Sequence, residues 1–289
     1  MCTCGVLAIT GRTDEPIFLM AKTLDYPPSS LWRGILSEPN GFTTLGFGLV
    51  EQSGVNGGVN ERGLGLMMTY GGSDETYADR FDSSESSRPI AFWQGDYRGL
   101  INAFVLAHCS TVDEAITAFY HLLPFFPNQP GGNHFLLDSS GNIAVVEHLH
   151  GALSHQYYSG LTCRANDQDL IQAQRLSPNV AQDRIIRRRR IEKVMGRLCN
   201  AADEKCVEKS SIIMTLEDVL AWHNPNADTL EGLGSICCHG LSLPCARANL
   251  TGSLQTLTGV IIDVADRTLR LTGGFPCKKI WHEYRFGES

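Results

Sequence analysis

This sequence predicts a layered α+β fold, and three observations carry the prediction. β-type runs, helical segments and further β-type runs follow one another in blocks, which stacks sheets and helices as layers instead of winding a parallel β-α-β sheet. The early runs are divided by short turns rich in Gly, Asn and Ser, as consecutive antiparallel strands are. A chain of 289 residues that is 43% hydrophobic has apolar surface enough for such a core. Neither a repeat nor a low-complexity tract nor a long linker divides the chain, so residues 1–289 are expected to form one domain.

The first strand is Val6-Leu7-Ala8-Ile9, an apolar run bounded by Gly5 and by Thr10-Gly11. After a turn at Gly11 to Glu15, Pro16 to Ala21 forms a second strand that hairpins onto it, with Lys22-Thr23-Leu24-Asp25-Tyr26 at its far end and Pro27-Pro28 as a stop. Strands over Phe42 to Glu51, Val55 to Val59 and Leu64 to Tyr70 follow, the last two joined by an Asn60-Glu61-Arg62-Gly63 turn. Ser73 to Pro89 is polar and acidic and reads as a surface loop or lid. Apolar residues at helical spacing predict a helix over Ile90 to His108, and Thr111-Val112-Asp113-Glu114 opens another with a capping-box pattern, running to Leu123 and ended by Pro124. Asn133 to Asp138 and Asn142 to Glu147 make a hairpin around Gly141. A short strand over Leu161 to Asn166, a basic helix over Val180 to Leu198 and a helix from Thr215 to His223 come next, and the tail returns to strands at Ser235 to Cys238, Leu254 to Val264 and Thr268 to Thr272.

Composition removes several function classes. A net charge of −7, with Arg187 to Arg190 as the one basic cluster, provides no basic field for nucleic acid or an anionic membrane, and the first half of the basic helix, Asp183 to Arg187, reads as a solvated face. No apolar run reaches the ~18–20 residues of a membrane span, and no basic-then-apolar start predicts a secretory signal. Ten cysteines scattered through a large chain are expected as reduced thiols in the cytoplasm. The paired C-x₂-C spacing of structural zinc sites is absent, so Cys2-Thr3-Cys4 and Cys237-Cys238-His239 are not expected to hold metal.

The chemistry points to the chain's start. Removal of Met1 would leave Cys2 carrying both a thiol and an α-amine. An α-amine titrates near pH ~7.7–8.0 and can take the thiol's proton close to neutrality, so one residue supplies nucleophile and base. The strand that follows would hold Cys2 in place. Lys22 and Asp25 lie where the hairpin returns, and both could face Cys2, Asp25 to orient the thiol or amine and Lys22 to favour the thiolate; as an exposed pair they would do little.

Taken together, these residues resemble the N-terminal-nucleophile amidases of the choloylglycine hydrolase and penicillin V acylase group, and the tail resembles the acyl-CoA:6-aminopenicillanic acid acyltransferase-like family. Cys2-Thr3 matches the mature start of that group. Leu24-Asp25 sits where the group has Arg-Asn-x-Asp, with Lys22 in place of the usual arginine, which keeps the charge and loses the fork. Asn60-Glu61-Arg62-Gly63-Leu64 matches an Asn-Glu-x-Gly-Leu turn, and the resemblance implies that the Tyr70 N–H and the Asn166 side chain are the oxyanion donors. Arg184, in Asp183-Arg184-Ile185-Ile186-Arg187, is similar to the first arginine of a Ser-Arg-x-x-Arg helix that reaches the nucleophile. Ser235 to His239, Thr256 to Gly259 and Gly274-Phe275-Pro276-Cys277 carry the likeness to the acyltransferase-like family. The fold implied is a four-layer αββα sandwich of two antiparallel sheets flanked by helices. The activity implied is hydrolysis of a linear amide in a small N-acyl compound through a thioester on Cys2, with no cofactor; relatives are often dimers or tetramers, and the oligomeric state of this chain is left open. Asn166 and Arg184 lie closer in sequence than in bile salt hydrolases, which argues against a bile-acid substrate.

The acyl pocket is expected from Tyr26 to Leu36 and Ser73 to Trp93, with Trp32, Phe81 and Trp93 as apolar contacts. Three rivals stand beside this reading. One is an acyltransferase that uses the same thioester. Another is a Cys–His thiol hydrolase built on Cys238 and His239 or on Cys109 and His108. The last is a non-catalytic or metal-binding protein.

Overall fold

The computed structural model describes residues 2–10, 15–50, 52–72, 96–126, 130–149, 151–163, 178–204, 207–225, 233–241 and 254–288. In chain order the elements are β1 (Cys4–Ile9), β2 (Ile17–Tyr26), β3 (Leu31–Leu36), β4 (Thr44–Leu49), β5 (Gly57–Asn60), β6 (Leu64–Gly72), α1 (Arg98–His108), α2 (Val112–Leu122), β7 (Gly131–Asp138), β8 (Ile143–Leu149), β9 (Ala152–Tyr158), β10 (Leu161–Cys163), α3 (Pro178–Glu204), α4 (Lys209–Leu220), β11 (His239–Leu241), β12 (Leu254–Asp263), β13 (Thr268–Thr272) and β14 (Trp281–Tyr284).

One sheet runs β10-β1-β2-β12-β13-β14, with β11 also on β12, and the other runs β3 to β9 in chain order. Neighbours pair antiparallel in both. Strand alternation divides most of the apolar residues among three large cores. Val6, Met20 and Ile262 of the first sheet meet Phe47, Met67 and Phe135 of the second. On the first sheet's outer face Leu7, Leu19 and Ile261 pack under Ile191 and Met195 of α3 and Ile212 and Leu216 of α4. On the second sheet's outer face Leu64, Leu66 and Leu136 pack under Val105 of α1 and Phe119 of α2. The order is therefore helix, sheet, sheet, helix, the expected αββα sandwich. Because both faces of the first sheet are covered, all ten residues of β2 are buried and its first half, Ile17 to Ala21, reads as a continuous apolar run.

Local chemistry explains where the chain turns. Thr111 Oγ1 accepts from the Glu114 N–H at 3.2 Å while the Glu114 carboxylate accepts from the Thr111 N–H at 3.3 Å, which completes the expected capping box at the start of α2. In the Asn60 to Gly63 turn, Asn60 Oδ1 accepts from the N–H groups of Arg62 and Leu64, and its amide donates to Leu106 O and Cys109 O at 2.7 Å. One amide thus closes the turn and anchors it to the end of α1. Gly5 lets α3 come close to β1, since a Cβ there would lie 2.4 Å from Met195 Sδ.

Several boundaries differ from the sequence reading. Asp96 and Tyr97 precede α1 and are not helical, and Asp96 instead closes a buried ion pair on Arg98 at 2.6 Å. Helix α4 begins at Lys209, six residues before Thr215; the Thr215 hydroxyl donates to Ser211 O within the helix and caps nothing. Ser235 to Cys238 is irregular, and the strand starts at His239. β3, β9 and β14 were not expected; each has exposed or half-buried residues at a sheet edge or beside one, where apolar periodicity is weak. The Ser73 to Pro89 loop lies outside the described residues. Among the described residues no helix is long and apolar enough to cross a membrane.

Candidate active site

The β1–β2 register positions the start of the chain. Cys4 lies across from Lys22, and Thr3 is held to Thr23 by two hydrogen bonds, Thr23 N–H to Thr3 O at 2.9 Å and Thr3 N–H to Thr23 Oγ1 at 3.0 Å. Continuing this ladder sets Cys2 across from Leu24, with Asp25 at the next position. Cys2 is 6% exposed and packs with Leu24, Tyr26, Leu49 and Leu257, and Leu31 closes one side. The apolar neighbours come from both sheets, so Cys2 stands at the end of the inter-sheet core.

Lys22 and Asp25 part company, because residues three apart on a strand point to opposite faces. Lys22 is fully buried on the inner face, where its ammonium donates to Asn56 Oδ1 and, at 2.5 Å, to Met68 O. It ties β2 to β6 of the facing sheet, two residues before Tyr70, and its ammonium lies 5.9 Å from the Phe47 ring centre. Asp25 is buried on the outer face beneath α3, where one carboxylate oxygen accepts from Arg187 Nη1 at 2.6 Å and the other from the Thr256 hydroxyl at 2.8 Å.

Arg187 is the centre of this outer network. It also bonds Asp183 at 3.1 Å, one turn back on α3, and Asp183 accepts the Gly234 N–H at 2.8 Å. Burial works against the Arg187 charge, but the carboxylates of Asp183 and Asp25 outweigh it and hold its pKa above the ordinary value. Thr256 relays the network onward, since its hydroxyl accepts the Cys238 N–H at 2.9 Å. Burial pushes the Cys238 thiol up, the Asp25 charge adds to that, and Arg187 opposes it.

The expected site residues fall as follows. Cys2, Lys22 and Asp25 lie at one end of the β1–β2 hairpin, but only Lys22 shares the inner face with Cys2; Asp25, expected to face it as well, turns to the outer face. Tyr70 sits on β6 across from Gly132, its ring 5.8 Å from the Arg98 guanidinium. Arg184 is buried on α3. The arginine that bonds Asp25 is Arg187, not part of the expected set; the solvated-face reading of Asp183 to Arg187 is corrected, since Asp183, Arg184 and Arg187 are all buried. An Asp–Arg pair at i,i+4 was the signal that could have found it. Thr256, inside a motif noted for its resemblance alone, was missed because nothing in the sequence shows that β12 pairs with β2. Trp32 lies against Gly48 and the core under α1, and lines a cleft with Leu31, Phe47, Thr272 and Tyr284 at the edge between β3–β4 and β13–β14. Asn166, Phe81 and Trp93 lie outside the described residues.

The rival dyads are not assembled. Burial, reinforced by Glu114, pushes the Cys109 thiol up to about 11, while the exposed His108 turns back to Phe104 O at 3.0 Å. The Cys238 sulfur meets the Thr256 hydroxyl at 3.5 Å, and His239 addresses the sulfurs of Cys237 and Cys277 instead.

Comparison with known proteins agrees with the sandwich. The family model described as acyl-coenzyme A:6-aminopenicillanic acid acyl-transferase matches residues 11–224. No curated protein matches the sequence significantly. Among solved structures, penicillin V acylase from Agrobacterium tumefaciens is 16% identical with a TM-score of 0.55, over 94% of this chain and 82% of that one. The C2A mutant of conjugated bile acid hydrolase from Clostridium perfringens is 14% identical with a TM-score of 0.51, over 100% and 98%. The N-acylethanolamine-hydrolyzing acid amidase ortholog of Caenorhabditis elegans is 13% identical with a TM-score of 0.50, over 91% and 93%. At these identities the likeness is one of fold.

Proposed function

The chain belongs to the acyl-coenzyme A:6-aminopenicillanic acid acyl-transferase family, and on that premise we propose that it is an N-terminal-nucleophile cysteine amidohydrolase that cleaves the linear amide C–N bond of a small N-acyl compound. The observation that carries this reading is the placement of Cys2, buried at the end of the inter-sheet core, next in register to Asp25 and on the same face as Lys22.

In this proposal Met1 is removed and the Cys2 α-amine takes the proton from its own Sγ. The thiolate attacks the amide carbon, a C–S bond forms, and the carbonyl π pair moves to oxygen. The Tyr70 N–H and the Asn166 side chain hold that oxyanion; losing one such donor typically costs ~10²–10³ in rate. Collapse breaks the C–N bond, and the amine leaves with the proton carried by the α-ammonium. Water then attacks the thioester, gives its proton to the α-amine, and releases the acid and the thiol. Extended backbone directs the Cys2 amine toward the position opposite Asp25, so Asp25 orients the amine while Arg187 and Thr256 fix Asp25. Lys22 and Arg184 tune the charge around the sulfur. The cleft that contains Trp32 shares Leu31 with the Cys2 cluster and sets Phe47 and Leu271 beside Arg33 and His282, which suits an acyl group with an apolar chain and a polar end.

Acyl transfer is the second reading, favoured by the description of the family itself. Incubation with N-acyl amines, N-acyl amino acids and penicillin V, with and without a competing amine, separates the two. Free acid as the product under both conditions supports hydrolysis; an amide of the added amine as the main product supports transfer; no product from any substrate class counts against both. A homo-oligomer in the cytoplasm completes the proposal.

A further inference from the structure

A second constellation lies beside the outer network. His223 follows the end of α4, Cys237 and His239 flank the entry to β11, and Cys277 lies in the turn between β13 and β14. These three segments, distant in sequence, bring four ligand atoms within 4.8 Å of one another. His239 Nε2 stands 3.4 Å from Cys237 Sγ and 3.3 Å from Cys277 Sγ. Its ring is fixed by stacking on Phe275 at 4.0 Å and meets the His223 ring edge-on at 5.1 Å.

From this we infer that His223, Cys237, His239 and Cys277 form a structural zinc site. Two thiolates and two imidazoles are the soft and borderline donors that select zinc over the oxygen-seeking Mg²⁺ and Ca²⁺, and two thiolate charges neutralise the ion. Tetrahedral bonds of ~2.3 Å to sulfur and ~2.0–2.1 Å to nitrogen set sulfur and nitrogen about 3.5 Å apart, close to the two separations observed here. Four protein ligands leave no open position, so the ion fastens α4, β11 and the β13–β14 turn together and takes no part in chemistry. The sequence reading set Cys237 and His239 aside because it sought paired C-x₂-C spacing, whereas here the partners arrive from other elements. Cys238, next to a ligand, donates its N–H to Thr256, which bonds Asp25. The site therefore steadies the β12 side of the proposed catalytic network, but its existence does not depend on the amidase reading.

The test uses the full chain. After gel filtration, elemental analysis should find about one equivalent of zinc, and cobalt exchanged for it should give a tetrahedral spectrum with a sulfur-to-metal charge-transfer band. A strong chelator should lower Tm, and zinc should restore it. Cys277→Ser should weaken zinc binding more than ~100-fold and, with Cys237 the sulfur ligand that remains, cut the charge-transfer band to about half per bound cobalt, while Cys2→Ala retains the wild-type affinity and spectrum. The inference is overturned if the chain takes up no zinc, if the cobalt spectrum of the wild-type chain lacks sulfur ligation, if Cys277→Ser leaves that spectrum unchanged, or if peptide mapping without reductant shows a Cys237–Cys277 disulfide. The metal content, cobalt spectrum and chelator response are read on the wild-type chain and decide the matter even where a variant does not fold.

Discussion

Replacing Arg187 with methionine should both unfold the protein more easily and slow it. The guanidinium is 3% exposed and bridges Asp25 at 2.6 Å and Asp183 at 3.1 Å, whose side chains are 1% and 0% exposed. Methionine fills most of the volume but leaves two buried carboxylates without the guanidinium that bridges them. Breaking a buried pair in this way costs about 3–5 kcal/mol. Unfolding entropy of ~2.1 cal/mol/K per residue over 289 residues is about 0.6 kcal/mol/K, so Tm should fall by about 5–8 °C. Arg187→Lys keeps the charge but lacks the fork to reach both acids, and should lose less. Displacement of Asp25 in the methionine variant should also lower kcat by roughly 10²-fold, the scale of a misplaced catalytic group. Scanning calorimetry and steady-state kinetics on both variants measure this. A Tm shift below 2 °C for Arg187→Met, with kcat unchanged, refutes the reasoning.

Three further outcomes follow from other positions. Thr256→Val preserves shape but strips Asp25 and the Cys238 N–H of a partner; urea denaturation should show a loss of about 1–3 kcal/mol, with kcat reduced more than KM is raised. Gly54→Ala places a Cβ 2.1 Å from Gly99 O at a φ of +80°, and should cost about 3 kcal/mol or more, seen as loss of soluble protein or a sharply lower denaturation midpoint. Burial, with Arg98 nearby, holds the His148 pKa down at about 3, and burial, His148 and Arg98 hold His134 well below its ordinary value. Both are neutral in the fold and protonate near pH ~6.5 when unfolded, so stability is full above that pH and declines as pH falls toward 3. His148 alone should remove about 2–3 kcal/mol between pH 6.5 and 4.5, and His148→Gln should flatten the urea-midpoint profile across that window.

The layers were legible because their residues obey simple periods. The β2 run, the Asn60 turn, the capping box at Thr111 and the hairpin at Gly141 all declare themselves locally, and the structure places each where the sequence put it, within a residue or two. Cys2, Lys22 and Asp25 were legible as neighbours because a single hairpin joins them. What was not legible depends on pairing between distant segments. Arg187 looked solvated in a run of arginines because the Asp25 it serves lies on another element. Thr256 gained its role only when β12 settled beside β2, and Cys277 met His239 only when the β13–β14 turn folded back. The opposite facing of Lys22 and Asp25 could have been read from strand alternation alone.

The central claim is that one residue, Cys2, supplies both nucleophile and base. Intact-mass spectrometry of the purified, active protein before and after brief exposure to a substrate that it turns over tests this most directly. The account predicts a chain that starts at Cys2 and gains the mass of one acyl group on that residue, with adduct and turnover both abolished in Cys2→Ala. An active chain that still begins with Met1, or a Cys2→Ala variant that turns over at the wild-type rate, contradicts it.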